Sequence, residues 1–233
     1  MGYGRLCESV RFMWRSHLIA RPECYIVRIR VEKRIGRARM VRRIPVVLTD
    51  EEQRRLLSQP NPRYPTGERN RLMLWLMLDT GLRLSEVLNL EWRDIDLLTG
   101  RLHVRRGKGS KDRVLWVGEE LLDALRHWRQ RQAKVVGKSV PWVFSTLDGK
   151  PLQARYVQMM VQRYAKKAGS EKRVTPHTLR HSFATDLLRT CGNVEIVRRA
   201  LGHERLSTTQ IYVHLVDEDL ERALKAFRRK RSQ

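Results

Sequence analysis

Six side chains of this sequence, Arg83, Lys108, His177, Arg180, His203 and Tyr212, bring together two guanidiniums, a primary amine, two imidazoles and a phenol. These are the groups that phosphodiester cleavage needs when no metal takes part. Negative charge spreads onto the non-bridging phosphate oxygens in the transition state. Paired guanidiniums answer it, because each donates two parallel hydrogen bonds and stays charged. A phenol can attack phosphorus and form a covalent phosphate ester. The leaving 5′ oxygen needs a proton, which a lysine or a histidine can supply. His177 and Arg180 stand three residues apart near a helix start, so they share a face at an end that favours anions. Singly, each of these residues is ordinary; the argument rests on their forming one site.

The elements that must position them are mostly helical. Thr49 followed by Glu52 is a capping box that starts a helix over 50–58. A Pro- and Asn-rich loop spans 60–65. The next helix, over 68–79, contains the run Leu72-Met73-Leu74-Trp75-Leu76-Met77-Leu78 and is apolar all round, the mark of a helix buried in a core; Gly81 ends it. Strands over 101–105 and 113–117 flank the turn Gly107-Lys108-Gly109-Ser110-Lys111-Asp112, which puts Lys108 near the tip of a hairpin and Lys111 in the same turn. An amphipathic helix over 119–134 turns Leu121, Leu122, Leu125 and Trp128 to one side. Val157, Met160, Val161, Tyr164 and Ala168 form the next stripe. Thr175-Pro176 caps a helix whose Leu179, Phe183, Leu187 and Leu188 face the core. A short helix over 193–201 closes at Gly202. Ser207 with Gln210 opens another, carrying Tyr212. The last helix, over 217–229, bears Leu220, Leu224 and Phe227. The expected fold class is mainly α with small β-hairpins.

Composition narrows the partner. The 233 residues hold 48 Lys and Arg against 25 Asp and Glu, a formal net charge of +23. For a chain that is 41% hydrophobic and can bury a sizeable core, that excess points to nucleic acid. No apolar run is long enough for a membrane span, and no signal-peptide core is present. Cys7, Cys24 and Cys191 are unclustered, which fits reduced thiols in a cytoplasmic protein and no zinc site. Residues 1–48 are the densest basic region, with twelve basic and three acidic residues. Within them, alternation of Tyr25, Val27, Ile29 and Val31 with Arg28, Arg30 and Glu32 reads as one arm of a basic hairpin over 25–48. It is either an edge hairpin with a solvated face or an arm that contacts DNA through Arg28 and Arg30.

Four blocks of the chain resemble the tyrosine recombinases, the phage integrase family, most closely its Xer-like branch. Thr80-Gly81-Leu82-Arg83-Leu84-Ser85-Glu86-Val87 resembles the family's first-arginine box. Gly107-Lys108-Gly109-Ser110-Lys111-Asp112-Arg113 is similar to its catalytic β-hairpin. Thr175-Pro176-His177-Thr178-Leu179-Arg180-His181-Ser182-Phe183-Ala184-Thr185 resembles its His-x-x-Arg box. Leu201-Gly202-His203, followed by Ser207-Thr208-Thr209-Gln210-Ile211-Tyr212, resembles the block that ends in the nucleophile. All four stand in the family's order. The resemblance implies a DNA breaking-rejoining catalytic domain over 46–233 and site-specific recombination through a covalent 3′-phosphotyrosine at Tyr212. Arg83 and Arg180 would clamp the phosphate, Lys108 protonate the 5′ oxygen, His177 assist proton transfer at the tyrosine, and His203 hydrogen-bond the phosphate. Glu86 would orient the basic residues, and Lys111 and Arg113 would contact DNA. His181 and His214 lie outside that set and read as structural. No cofactor or metal is implied, and the sequence shows neither a metal-ligand cluster nor a Walker loop.

The implied partners are double-stranded DNA carrying a recombination site, a homotetramer assembled on it, and accessory proteins. Leu220, Leu224 and Phe227 could face a neighbouring protomer or their own domain. Two rival activities share the residues: nicking and resealing without exchange, as in type IB topoisomerases, and DNA binding without catalysis. Typical relatives carry a helical core-binding domain of about a hundred residues ahead of the catalytic domain, and its pattern is not seen in residues 1–45. Either this basic segment grips DNA in its place or the chain is the catalytic piece of a longer protein. In the first case, deleting residues 1–44 lowers DNA affinity and flattens the dependence of log K on log salt, because phosphate contacts set that slope. Fluorescence anisotropy across a salt series measures it, and an unchanged slope rules out the grip.

Overall fold

The computed structural model describes residues 45–105, 112–203, 208, 209 and 212. The hairpin read over 25–48 lies almost wholly outside them, as do Lys108, Lys111, Arg28, Arg30 and the final helix.

Helix α1, Asp50–Leu57, begins where the capping box puts it: Thr49 Oγ1 accepts from the Glu52 N–H, and the Glu52 carboxylate accepts from the Thr49 N–H at 2.8 Å. Helix α2, Pro65–Thr80, starts three residues earlier than its apolar pattern. Proline at the first helical position needs no N–H partner and has its φ preset. Gly67 lets the preceding loop lie against this first turn, since a Cβ there would sit 1.9 Å from the Asn61 carbonyl oxygen. As expected for an all-round apolar helix, Leu72, Met73, Leu74, Leu76, Met77 and Leu78 are all buried. A five-residue helix, α3, Leu84–Leu88, follows directly. The sequence pattern does not reveal it, because it is too short for a periodicity.

A 3₁₀ turn, Trp92–Asp94, leads to strands β1, Arg101–Val104, and β2, Arg113–Trp116. They pair antiparallel in the register Leu102 with Leu115 and Val104 with Arg113. Helix α4, Glu119–Val136, buries Leu121, Leu122, Leu125 and Trp128, and α5, Ala154–Lys167, buries Val157, Met160, Val161 and Tyr164. The α5 stripe ends on buried Ala165, with Ala168 only half-buried at the C-cap. Helix α6, Pro176–Cys191, is capped by Thr175, and α7, Val194–Leu201, by Asn193. Helix α2 packs against α4 and α6, so the catalytic candidates on α6 are set on the most buried element of the chain. The main core gathers α1 to α5 and Leu179, and a smaller cluster joins Ala184, Leu188, Val197, Leu201 and Tyr212.

The turn from α2 into α3 depends on one residue. Gly81 takes φ +61° at the C-cap of α2, and its N–H donates to the Met77 carbonyl at 3.1 Å. A Cβ on it would lie 2.2 Å from Cδ1 of Phe183. Gly81→Ala therefore combines a left-handed backbone penalty with an overpacked contact and destabilises the fold by about 3 kcal/mol. A lowered urea midpoint at unchanged slope is the expected result.

Candidate active site

The turn at Gly81 puts Arg83 at the N-cap of α3, and Glu86 reaches back across the first helical turn. Glu86 Oε2 accepts from the Arg83 backbone N–H at 2.7 Å, and Oε1 from its guanidinium at 3.0 Å. Strand β2 supplies the second guanidinium. Alternation along β2 turns Arg113 to the same side as buried Leu115, and both its terminal nitrogens bond Glu86 at 2.9 Å. Helix α6 supplies the third, Arg180, whose Nη1 lies 4.0 Å from Glu86 Oε2. One carboxylate, 8% exposed, thus stands among three arginines.

The same arginines finish the C-terminus of α7. The last carbonyls of a helix have no partner within it. Here Arg113 Nε donates to the Ala200 carbonyl at 2.8 Å, Arg180 Nη2 to that of Leu201 at 2.7 Å, and Arg83 Nη2 to that of Gly202 at 3.5 Å. Arg180 Nη1 also donates to the Gly81 carbonyl at 2.5 Å, at the C-terminus of α2. Cations at helix C-termini are favoured by the macrodipole. Three successive carbonyls of one helix therefore fix three guanidiniums that come from distant parts of the chain.

Charge at this site is unbalanced by design of its composition: three guanidiniums face one carboxylate. Burial disfavours the Glu86 charge, but hydrogen bonds and attraction from Arg113, then Arg83, outweigh it and hold the carboxyl at about 2. Arg180 is pushed down to about 9, first by burial and then by repulsion from Arg83, which the attraction of Glu86 only partly offsets. Two positive charges remain without a counter-charge among these four residues. An arriving phosphate monoester or diester supplies negative charge where it is electrostatically needed. Arg83, 36% exposed, is the guanidinium open to it; Arg180 is 6% exposed.

Next to Arg180 on α6, His181 carries the other half of the site. Its Nδ1 is 2.8 Å from the Tyr212 hydroxyl, and the rings lie 5.7 Å apart at 50°. Tyr212 is 1% exposed, and its N–H donates to the Thr209 carbonyl at 3.0 Å. Burial pushes the phenol above its ordinary value, with Arg180 pulling the other way. Burial also pushes His181 down to about 4, helped by His177 and Arg180. At neutral pH both groups are therefore uncharged. The phenol donates, and Nδ1 accepts with its ring proton on Nε2. His203 follows the α7 cap; its N–H donates to the Arg198 carbonyl at 3.0 Å, and Nδ1 lies 3.1 Å from Thr209 Oγ1.

The structure thus brings together Arg83, Glu86 and Arg180, and places Tyr212 against the helix that bears Arg180. His177 stands exposed at the second position of α6. Two expectations change. Arg113, read as a DNA contact, is 8% exposed and spends its guanidinium on Glu86 and α7, so it is an internal brace. The signal was available: strand alternation puts it on the side of Leu115. His181, read as structural, is the partner of the phenol. Its signal was the spacing of four from His177, but its position just after Arg180 hid it.

The family model described as "Phage integrase family" matches residues 46–219. The chain belongs to the phage integrase family. Tyrosine recombinase XerC of Xanthomonas campestris pv. campestris (strain B100) is 41% identical over 174 residues, covering 75% of this chain and 52% of that protein. The chain thus spans about half the length of the curated relatives it matches. Among solved structures, XerA recombinase superposes with a TM-score of 0.69 at 33% identity, over 79% of this chain and 66% of that one. XerH site-specific recombinase, bound to palindromic difH substrate after cleavage, superposes at 0.68 and 29% identity, over 79% and 54%. The fold is that of the family's catalytic domain, mostly helical with a small antiparallel sheet. No described helix is long and apolar enough to cross a membrane.

The depressed Glu86 carboxyl ties the site to stability. Its charge stabilises the fold fully above its ordinary value of 4.5, and that contribution is lost as pH falls through about 2. The gap corresponds to on the order of 3 kcal/mol. Glu86→Gln should lower the urea stability by that order at pH 7, and the difference from wild type should shrink between pH 4.5 and 2.

Proposed function

We propose that this chain is the catalytic part of a site-specific DNA recombinase that breaks and rejoins DNA through a phosphotyrosine at Tyr212. The observation that carries the reading is the cluster of three arginines on one carboxylate, with net positive charge to spare, adjoining a buried phenol already hydrogen-bonded through its hydroxyl. The family relationship supports it, as does the XerH neighbour that is bound to its DNA substrate.

In this reading the scissile phosphate is bound by Arg83 and Arg180, whose charges strengthen their hold as negative charge grows on the non-bridging oxygens. His203, beside Thr209, and His177, at the start of α6, complete the donors around it. Tyr212 attacks phosphorus, and the 3′-phosphotyrosyl ester forms as the bond to the 5′ oxygen breaks. Lys108, in the turn of the hairpin, protonates that oxygen. The ester conserves the energy of the broken bond, so a free 5′-hydroxyl can reverse the step without ATP. Exchange of partners requires several protomers on DNA, and a tetramer is the assembly this reading expects. Lys111, with Arg28 and Arg30, belongs to the wider set of cations that neutralise the DNA backbone.

A nicked suicide duplex, recovered by binding selection and tested in single turnover, decides the matter. Wild type should yield a covalent protein–DNA band that Tyr212→Phe abolishes. Arg180→Ala should slow its appearance by on the order of 10² to 10³. A band that survives in Tyr212→Phe, or none with wild type on a duplex it binds, would refute the proposal.

A further inference from the structure

We infer that His181 is a catalytic residue: its Nδ1 takes the phenolic proton of Tyr212 as the phenol oxygen attacks phosphorus. The inference rests on the recombinase reading above and concerns a step that reading leaves open, where the tyrosine proton goes.

The geometry carries it. Nδ1 is 2.8 Å from the Tyr212 hydroxyl, within the reach a general base requires. The contact is made inside the fold, with the ring of Tyr212 packed against Ala184, Leu188, Val197 and Leu201, so the hydroxyl has little freedom to find another acceptor. The other imidazoles of the set are placed differently. His177 is exposed at the start of α6, and His203 turns its Nδ1 to Thr209. Electrostatics agree in direction. Burial holds the phenol neutral, so it needs an acceptor at the moment of attack. Burial, with His177 and Arg180 nearby, also keeps His181 neutral in the DNA-free protein, leaving the Nδ1 lone pair available. A bound phosphodiester brings negative charge against Arg180. It thereby offsets the cations that oppose the imidazolium, so the base strengthens when substrate is present.

The step balances. The Tyr212 oxygen–phosphorus bond forms while the phosphorus–O5′ bond breaks. The phenolic proton passes to His181 Nδ1, giving an imidazolium, and the 5′ oxygen receives a proton from Lys108. On rejoining, the 5′-hydroxyl returns its proton to Lys108, and the imidazolium returns one to the departing tyrosine oxygen.

Two variants test it on the suicide duplex. His181→Asn places an oxygen acceptor near the position of Nδ1 but cannot take the proton. Its cleavage should be on the order of 100-fold slower than wild type, with duplex affinity unchanged. His181→Ala should be at least as slow, and added imidazole should restore cleavage roughly ten-fold or more. If His181→Asn cleaves within about three-fold of wild type, the residue only positions the phenol and the inference falls. Failure of imidazole to act on folded His181→Ala, judged by its melting temperature, overturns it too. A wild-type protein that forms no covalent complex overturns the recombinase reading itself, so the two failures are told apart.

Discussion

Glu86 is a buried carboxylate on which three guanidiniums from three separate elements converge, and the rest of the site is arranged around that meeting. Its ion pairs do not stand alone. Arg83, Arg113 and Arg180 each also bond a terminal carbonyl of α7. A buried ion pair is expensive unless its remaining hydrogen-bonding capacity is satisfied. Here the unsatisfied end of a helix does that, and the arginines in turn supply the partners that end lacks. The carboxylate sets where the charges gather, and α7 sets how they point.

The excess of positive charge has a cost that is visible inside the protein. Arg180 is easier to deprotonate than a free arginine because burial and Arg83 both oppose its charge. The DNA-free site is therefore electrostatically incomplete. Such a site gains more from an anion than a solvated lysine patch does, because low-dielectric surroundings amplify the attraction. The net charge of +23 thus divides into two kinds: a large exposed part suited to any polyanion, and a small buried part that is selective for a phosphate placed between Arg83 and Arg180.

Much of this was legible in the residues. The caps at Thr49, Thr175 and Asn193, the buried run on α2 and the hairpin flanking Lys108 are local signals. They depend on neighbours in sequence, and the structure repeats them. Arg83, Glu86, Arg180 and Tyr212 were legible as members of a recognisable set of blocks. What stayed hidden is tertiary. Nothing local says that Arg113 will find Glu86 rather than solvent, since that depends on β2 packing beside α3. Nothing local says that the hydroxyl of Tyr212 will meet the ring of His181, because the two are joined only by the packing of residue 212 on α6. The helix α3 escaped for a different reason: five residues cannot display a period of 3.6.

The carbonyls that hold Arg180 belong to Gly81 and Leu201, which are 99 and 21 residues away from it along the chain. Contacts of such separation pay a large loop-closure entropy and are among the last to be repaid as a chain folds. The phosphate clamp therefore cannot assemble on a partly folded chain, even though α6 and its cap can form from local signals alone. Helices first, clamp last: a growing or damaged polypeptide would carry the tyrosine and the arginines as separate, harmless pieces. The power to cut a chromosome would then appear only when the whole domain has closed, and the geometry that makes the site strong also acts as its safeguard against premature use.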